Sequence, residues 1–154
     1  VPAVKSAEQL TEAFRARGQK VTPQRQCIVD ALVRTSGQHP TAEAIHAEVM
    51  EQLPMVSLKT VYQTLNDLAD MGELGHLDLG TGSARFDTNT DRHQHLVCVQ
   101  CGRVWDVYAD FTEVRIPPEL SDDFCVSSTD IVFRGQCRHC AAVGGTGVPT
   151  PSAM

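Results

Sequence analysis

The placement of the cysteines restricts this chain more than any other feature. Four of the six stand as two CxxC pairs, Cys98/Cys101 and Cys137/Cys140, with 35 residues between the pairs, while Cys27 and Cys125 are isolated. Each CxxC turn puts two thiols on one side of a tight loop. Two such loops complete a tetrahedral shell of four sulfurs, the soft donor set that suits Zn2+. With all four positions filled, no coordination site stays open, so the expected role is structural. A redox dithiol is the competing reading. It ordinarily needs one CxxC at a helix N-terminus after a strand, whereas two pairs flanking strands are expected here. In a cytosolic chain, paired CxxC units point to metal rather than to disulfides.

The length of 154 residues suffices for one compact domain or two small ones, and small cores need help from a metal or a partner. Apolar residues make up 42% and charged residues 21%, ordinary for a soluble domain. No apolar run approaches the roughly 20 residues that span a bilayer, and no basic start leads into an apolar leader. A cytoplasmic protein without membrane association is therefore expected. The net charge of −6 speaks against nucleic acid, but charge distribution matters more than the total. Arg15, Arg17, Lys20 and Arg25 lie between Ala13 and Val29 with no acidic residue among them. Such a strip serves a solvated face as readily as a DNA surface, so it counts only beside other features.

Periodicity predicts a first helix over Ser6 to Arg17, burying Leu10 and Phe14. Thr22-Pro23 opens a second, with Thr as N-cap and Pro at the first position. A third runs from Ala42 to about Gln52 on Ile45, Val49 and Leu53. A fourth spans Leu58 to Met71, turning Leu58, Val61, Leu65 and Leu68 inward. Its other side carries Lys59, Tyr62, Gln63 and Asn66, long or polar side chains suited to phosphates and base edges. A hairpin follows: Leu74 to Leu79, a Gly80-Thr81-Gly82 turn, and Ala84 to Phe86. Helices followed by a two-stranded ribbon match a winged helix-turn-helix with the fourth helix as reader. Arg17, Lys20, Arg25, Lys59, Thr60, Tyr62, Gln63 and Asn66 form the candidate DNA-contact set.

Beyond Asp87 the texture changes. His95 to Val99 and Arg103 to Tyr108 read as short strands around the first CxxC turn, and Val126 to Arg134 as a strand feeding the second. The Gly-, Pro- and Ser-rich stretch from Ala141 to Met154 reads as a disordered tail. The expected fold is α+β. It comprises a winged-helix DNA-binding domain over residues 1–86, a hinge at 87–92, a small α/β metal-binding domain at 93–140, to which the resemblance drawn below adds dimerisation, and a tail at 141–154.

Six stretches in order give the chain a specific resemblance. They are Thr22-Pro23-Gln24-Arg25, His39-Pro40-Thr41-Ala42, Ser57 through Leu65, Arg85-Phe86-Asp87, His93 through Cys98, and Gly135 through Cys140. On them the chain resembles the ferric uptake regulator family over nearly its whole length. The resemblance implies a homodimer on palindromic double-stranded DNA, structural zinc in the C-terminal domain, and a regulatory metal that favours DNA binding. His39, Asp87, His93, His95 and Asp106 are then the regulatory ligands, a mixed N/O set suited to Fe2+ or Mn2+. Aspartate at 87 and 106, where iron and zinc sensors of the family tend to carry glutamate, looks like the peroxide-sensing branch. That branch implies oxidation of His39 or His93 and release from DNA, with Mn2+ occupying the site without supporting the reaction. Two alternatives remain: a reversible iron, manganese or zinc uptake regulator of the same architecture, and a zinc enzyme. The second lacks its signature, because His93-Gln94-His95 has no Glu and Val97, not Pro, precedes Cys98.

Overall fold

The computed structural model describes residues 4–144. They form two compact units that divide between Asp91 and Arg92. Among the described residues, no helix is long and apolar enough to cross a membrane.

The first unit begins with four helices, α1 (Ala7–Ala16), α2 (Pro23–Arg34), α3 (Ala42–Met50) and α4 (Leu58–Asp70). Each starts at a hydroxyl residue. Ser6, Thr22, Thr41 and Ser57 accept the backbone N–H of Gln9, Arg25, Ala44 and Thr60, and Gln9 returns the bond to Ser6. Satisfying an otherwise orphaned N–H in this way fixes where each helix begins. Their apolar stripes meet in one core containing Leu10, Phe14, Ile28, Leu32, Ile45, Val49, Val61, Leu65 and Leu68. Gly72 ends the last turn after α4 at φ +75°, a conformation that costs glycine little.

An antiparallel ribbon follows, β1 (Gly75–Leu77) on β2 (Arg85–Asp87), with Leu77 opposite Arg85 and Gly75 opposite Asp87. The paired part is shorter than the sequence suggests. Phe86 at its centre is buried in the helical core; pairing stops at Leu77 and resumes at Arg85, although Leu79 between them is also buried.

The second unit holds β3 (Gln94–Cys98), β4 (Val104–Val107), β5 (Val132–Gly135) and α5 (Arg138–Gly144). The sheet order is β4-β3-β5, antiparallel on one side of β3 and parallel on the other. A parallel neighbour requires a long crossover; here it contains a single 3-10 turn at Pro118–Leu120. Two expectations need correction. The strand predicted from Val126 starts only at Val132, where pairing with His95 begins; Ser127, Ser128, Thr129 and Asp130 are exposed and have no apolar side to bury. The tail predicted from Ala141 is helical through Gly144, because Ala141 and Ala142 are strong helix formers and Cys140 is buried. The remainder, 145–154, lies outside the described residues.

Candidate metal centres and reading face

The four paired cysteines meet in the second unit. β3 ends at Cys98, and a turn returns the chain through Cys101 to Gly102, which takes φ +72°. Gly102 N–H donates to the Cys98 carbonyl at 2.8 Å, and Cys98 N–H to Arg103 O at 2.9 Å. β5, hydrogen-bonded alongside β3, delivers Cys137, and the first turn of α5 delivers Cys140. The sulfurs all lie within 4.8 Å of one another, and Cys101 Sγ is 3.9 Å from Cys137 Sγ. A tetrahedron with Zn–S bonds near 2.3 Å has edges of about 3.8 Å, so the donor set fits such an ion.

The backbone prepares these thiols unequally. N–H groups of Cys101 and Cys137 converge on Cys98 and bring its thiol down to about 6. Burial, then the neighbouring thiols, pushes Cys140 up to about 12. The competing dithiol arrangement is half present, since the second CxxC follows a strand and runs into the first turn of a helix. Four converging sulfurs, rather than one isolated pair, distinguish the site.

The oxygen and nitrogen donors fall into two groups. In the first unit, His39 and Asp87 are both buried, with Nε2 3.5 Å from Oδ2. His39 takes φ +50°, the only positive φ at a non-glycine position among the described residues. A branched or bulky side chain rarely holds this conformation unless its surroundings impose it. Here Arg85 Nη1 donates to His39 O, Phe86 N–H to Pro40 O, and Thr41 bridges Arg85, stitching the loop to the strand that ends in Asp87. Across the ribbon, a Cβ on Gly75 would stand 3.3 Å from Asp87 Cβ. Glycine there leaves the carboxylate its place.

In the second unit, His95 on β3 faces Asp106 on β4 in register. Asp106 Oδ1 lies 3.3 Å from His93 Nε2 and 4.0 Å from His95 Nε2. The two imidazole centroids are 4.5 Å apart, and His93 stacks on Tyr108 at 5.5 Å. Both groups contain only imidazole and carboxylate, so sulfur and N/O donors are sorted between centres. His46, by contrast, bonds the Val56 carbonyl, and His76 packs edge-on against Phe86.

The candidate DNA-contact residues separate by exposure. Arg17, Lys20, Lys59, Gln63 and Asn66 are exposed, Thr60 and Tyr62 half-buried. Arg25 is drawn inward: its guanidinium donates to Asp67 Oδ2 at 3.1 Å and to Lys20 O at 2.8 Å, and lies 4.6 Å over the Phe14 ring. It ties α1, α2 and α4 together and is not an open cation. Two acidic residues that the sequence reading passed over hold two of these candidates. Asp67 binds Gln63 and Glu43 binds Tyr62. The first pair is legible as an i, i+4 spacing; the second joins different helices and leaves no local signal.

The family model described as Ferric uptake regulator family matches residues 16–133. The chain belongs to the ferric uptake regulator family. Among its relatives is a protein of Staphylococcus aureus (strain USA300) named peroxide-responsive repressor PerR. It is 34% identical over 134 residues, spanning 86% of this chain and 90% of that protein. Solved ferric uptake regulators share the fold. That of Helicobacter pylori, described as revealing three functional metal binding sites, superposes with a TM-score of 0.69 at 23% identity, over 89% of this chain and 95% of its own. That of Vibrio cholerae, described by a rearrangement of its DNA-binding domains, gives 0.66 at 27% identity, over 82% and 98%.

Proposed function

We propose that this chain is a metal-dependent, DNA-binding transcriptional repressor that senses hydrogen peroxide through Fe2+, acting in the cytoplasm as a homodimer on palindromic DNA. The observation that carries the reading is the sorting of donors: four sulfurs in one cluster, and imidazoles with carboxylates in the others. Structural Zn2+ belongs to Cys98, Cys101, Cys137 and Cys140. The regulatory ion is assigned the donors His39, Asp87, His93, His95 and Asp106, the set that the family resemblance implies.

What supports the peroxide branch is the aspartate pair and the likeness to the staphylococcal repressor. Fe2+ held by this set supplies a one-electron reductant for hydrogen peroxide, whereas Mn2+ fills the same donors without that reaction. His39 and His93 are the side chains this reading exposes to oxidation, and an added oxygen on either weakens the donor set. Support for self-association comes from the second unit. Leu96, register partner of both Trp105 and Phe133, is 40% exposed and Phe133 is 42% exposed, an apolar sheet face suited to a second copy.

The test treats Fe2+-loaded protein bound to operator DNA with hydrogen peroxide. Release, with a mass gain of one oxygen on the peptide holding His39 or His93, is the expected result. Release on chelation with both histidines unmodified after peroxide favours a reversible metal-uptake regulator, to which the shared fold with solved ferric uptake regulators lends weight.

A further inference from the structure

Gln63 stands on the exposed side of α4 with Lys59 and Asn66. A glutamine amide has a donor end and an acceptor end of nearly equal size, and turning it over exchanges what it offers a base. In this protein the choice is made from behind. Gln63 Nε2 donates to Asp67 Oδ1 at 2.8 Å. Asp67 Oδ2 accepts from Arg25 Nη2 at 3.1 Å, and Arg25 is itself held by the Lys20 carbonyl and the Phe14 ring. An ionised carboxylate only accepts, so the amide end facing Asp67 must be nitrogen. The carbonyl oxygen of Gln63 accepts no hydrogen bond among the described residues.

We propose that Asp67 is a positioning residue that fixes the polarity of Gln63, so that Gln63 reads an amino-bearing base, adenine or cytosine, in the major groove. The inference rests on the DNA-binding reading of α4. In the major groove, adenine N6 and cytosine N4 are donors, while guanine O6 and thymine O4 are acceptors. A carbonyl oxygen aimed at that row takes the first pair and leaves the second unpaired. The remaining amide hydrogen rides on the nitrogen held at Asp67; it adds at most a contact to a purine N7 and does not reverse the choice.

The same geometry predicts an inversion. In Asp67→Asn the side chain keeps its shape but has one acceptor and one donor end. Arg25 only donates, so it claims the Asn oxygen and leaves the Asn NH2 facing Gln63. Gln63 must then turn its carbonyl inward and its NH2 outward, toward guanine or thymine.

Selection from a pool of DNA duplexes with a randomised core, using the full chain loaded with Zn2+ and Mn2+, tests this. Gln63→Ala, a change at an exposed position, identifies the base pair that Gln63 reads as the one whose preference flattens. Every base pair holds one amino-bearing base on one strand or the other, so the selection is read as a change of pair: wild type is expected to favour one pair there by about five- to tenfold, and Asp67→Asn to exchange it for a pair with the amino and keto groups transposed. If Asp67→Asn fails to fold, as judged by circular dichroism, wild type is assayed on its selected site with the amino group deleted, purine for adenine or 2-pyrimidinone for cytosine. The loss should then equal that of Gln63→Ala. No flattening with Gln63→Ala, an Asp67→Asn profile identical to wild type, or no loss on deleting the amino group of the selected pair each overturns the inference. A pool from which wild type enriches no sequence overturns the DNA-binding reading and the inference with it.

Discussion

The Tyr62 hydroxyl on α4 donates to Glu43 Oε1 on α3 across 2.7 Å. This bond lowers the Glu43 carboxyl below its ordinary range, assisted by its own backbone N–H, and raises the Tyr62 phenol, assisted by burial. A lowered carboxylate contributes above its unfolded value and loses the contribution as pH falls through the folded one. A raised phenol contributes below about pH 10 and loses it as pH rises. Between those limits the pair is constant, so DNA affinity should owe no pH dependence to it from about pH 6 to 9. Glu43→Ala should weaken DNA binding about three- to tenfold by releasing Tyr62, with little change in melting temperature. Glu43→Gln should restore most of the affinity. Gel shifts beside thermal melts check both.

At neutral pH the metal-free cluster holds Cys98 as thiolate, near 6, and Cys140 as thiol, near 12. Zinc requires thiolates, so at pH 7.5 its binding should expel the Cys140 proton but none from Cys98, and affinity should rise with pH. Calorimetry in buffers of different ionisation enthalpy counts the protons. Cys101→Ser should lose the zinc and the cooperative unfolding of the second unit, seen by metal analysis and circular dichroism.

Arg25→Ala should destabilise the first unit by about 1–3 kcal/mol, because it removes a partly buried ion pair, a carbonyl bond and a cation–ring contact together. Lys20→Ala and Arg17→Ala, at exposed positions, should leave stability unchanged and lower the salt dependence of DNA binding by about one ion per site lost. Denaturant titration and salt-dependent binding separate the two classes. Equal stability in all three variants would remove Arg25 from its structural role.

His93 lies against Asp106 and stacks on Tyr108, away from the sulfur cluster's donor chemistry. His93→Ala should retain stoichiometric zinc while Mn2+ affinity falls by more than the roughly 10- to 100-fold typical of losing an outer partner of a ligand. Metal-dependent DNA binding should vanish with it. Retained Mn2+ response would take His93 out of the regulatory set.

Much of this molecule is written locally. Ser6, Thr22, Thr41 and Ser57 mark helix starts because capping is a bond between neighbours in the chain. The inward stripes and the two CxxC turns are equally short-range patterns, and thiol against imidazole with carboxylate already sorts the metals by softness. Length of pairing was not legible: the strand expected from Val126 begins at Val132, and the helix that carries Cys140 runs on into a stretch that reads as tail.

The sequence by itself determined the kinds of element and the chemistry of the donors, since both follow from residues a few positions apart. Only the tertiary structure decided what each polar side chain is held by. Arg25 turns to Asp67 across 42 residues, Tyr62 to Glu43 across 19, and His39 adopts its φ of +50° beside a strand 46 residues on. Hydrogen bonds act over about 3 Å, and no pattern along the chain reveals which distant atoms folding brings within that reach.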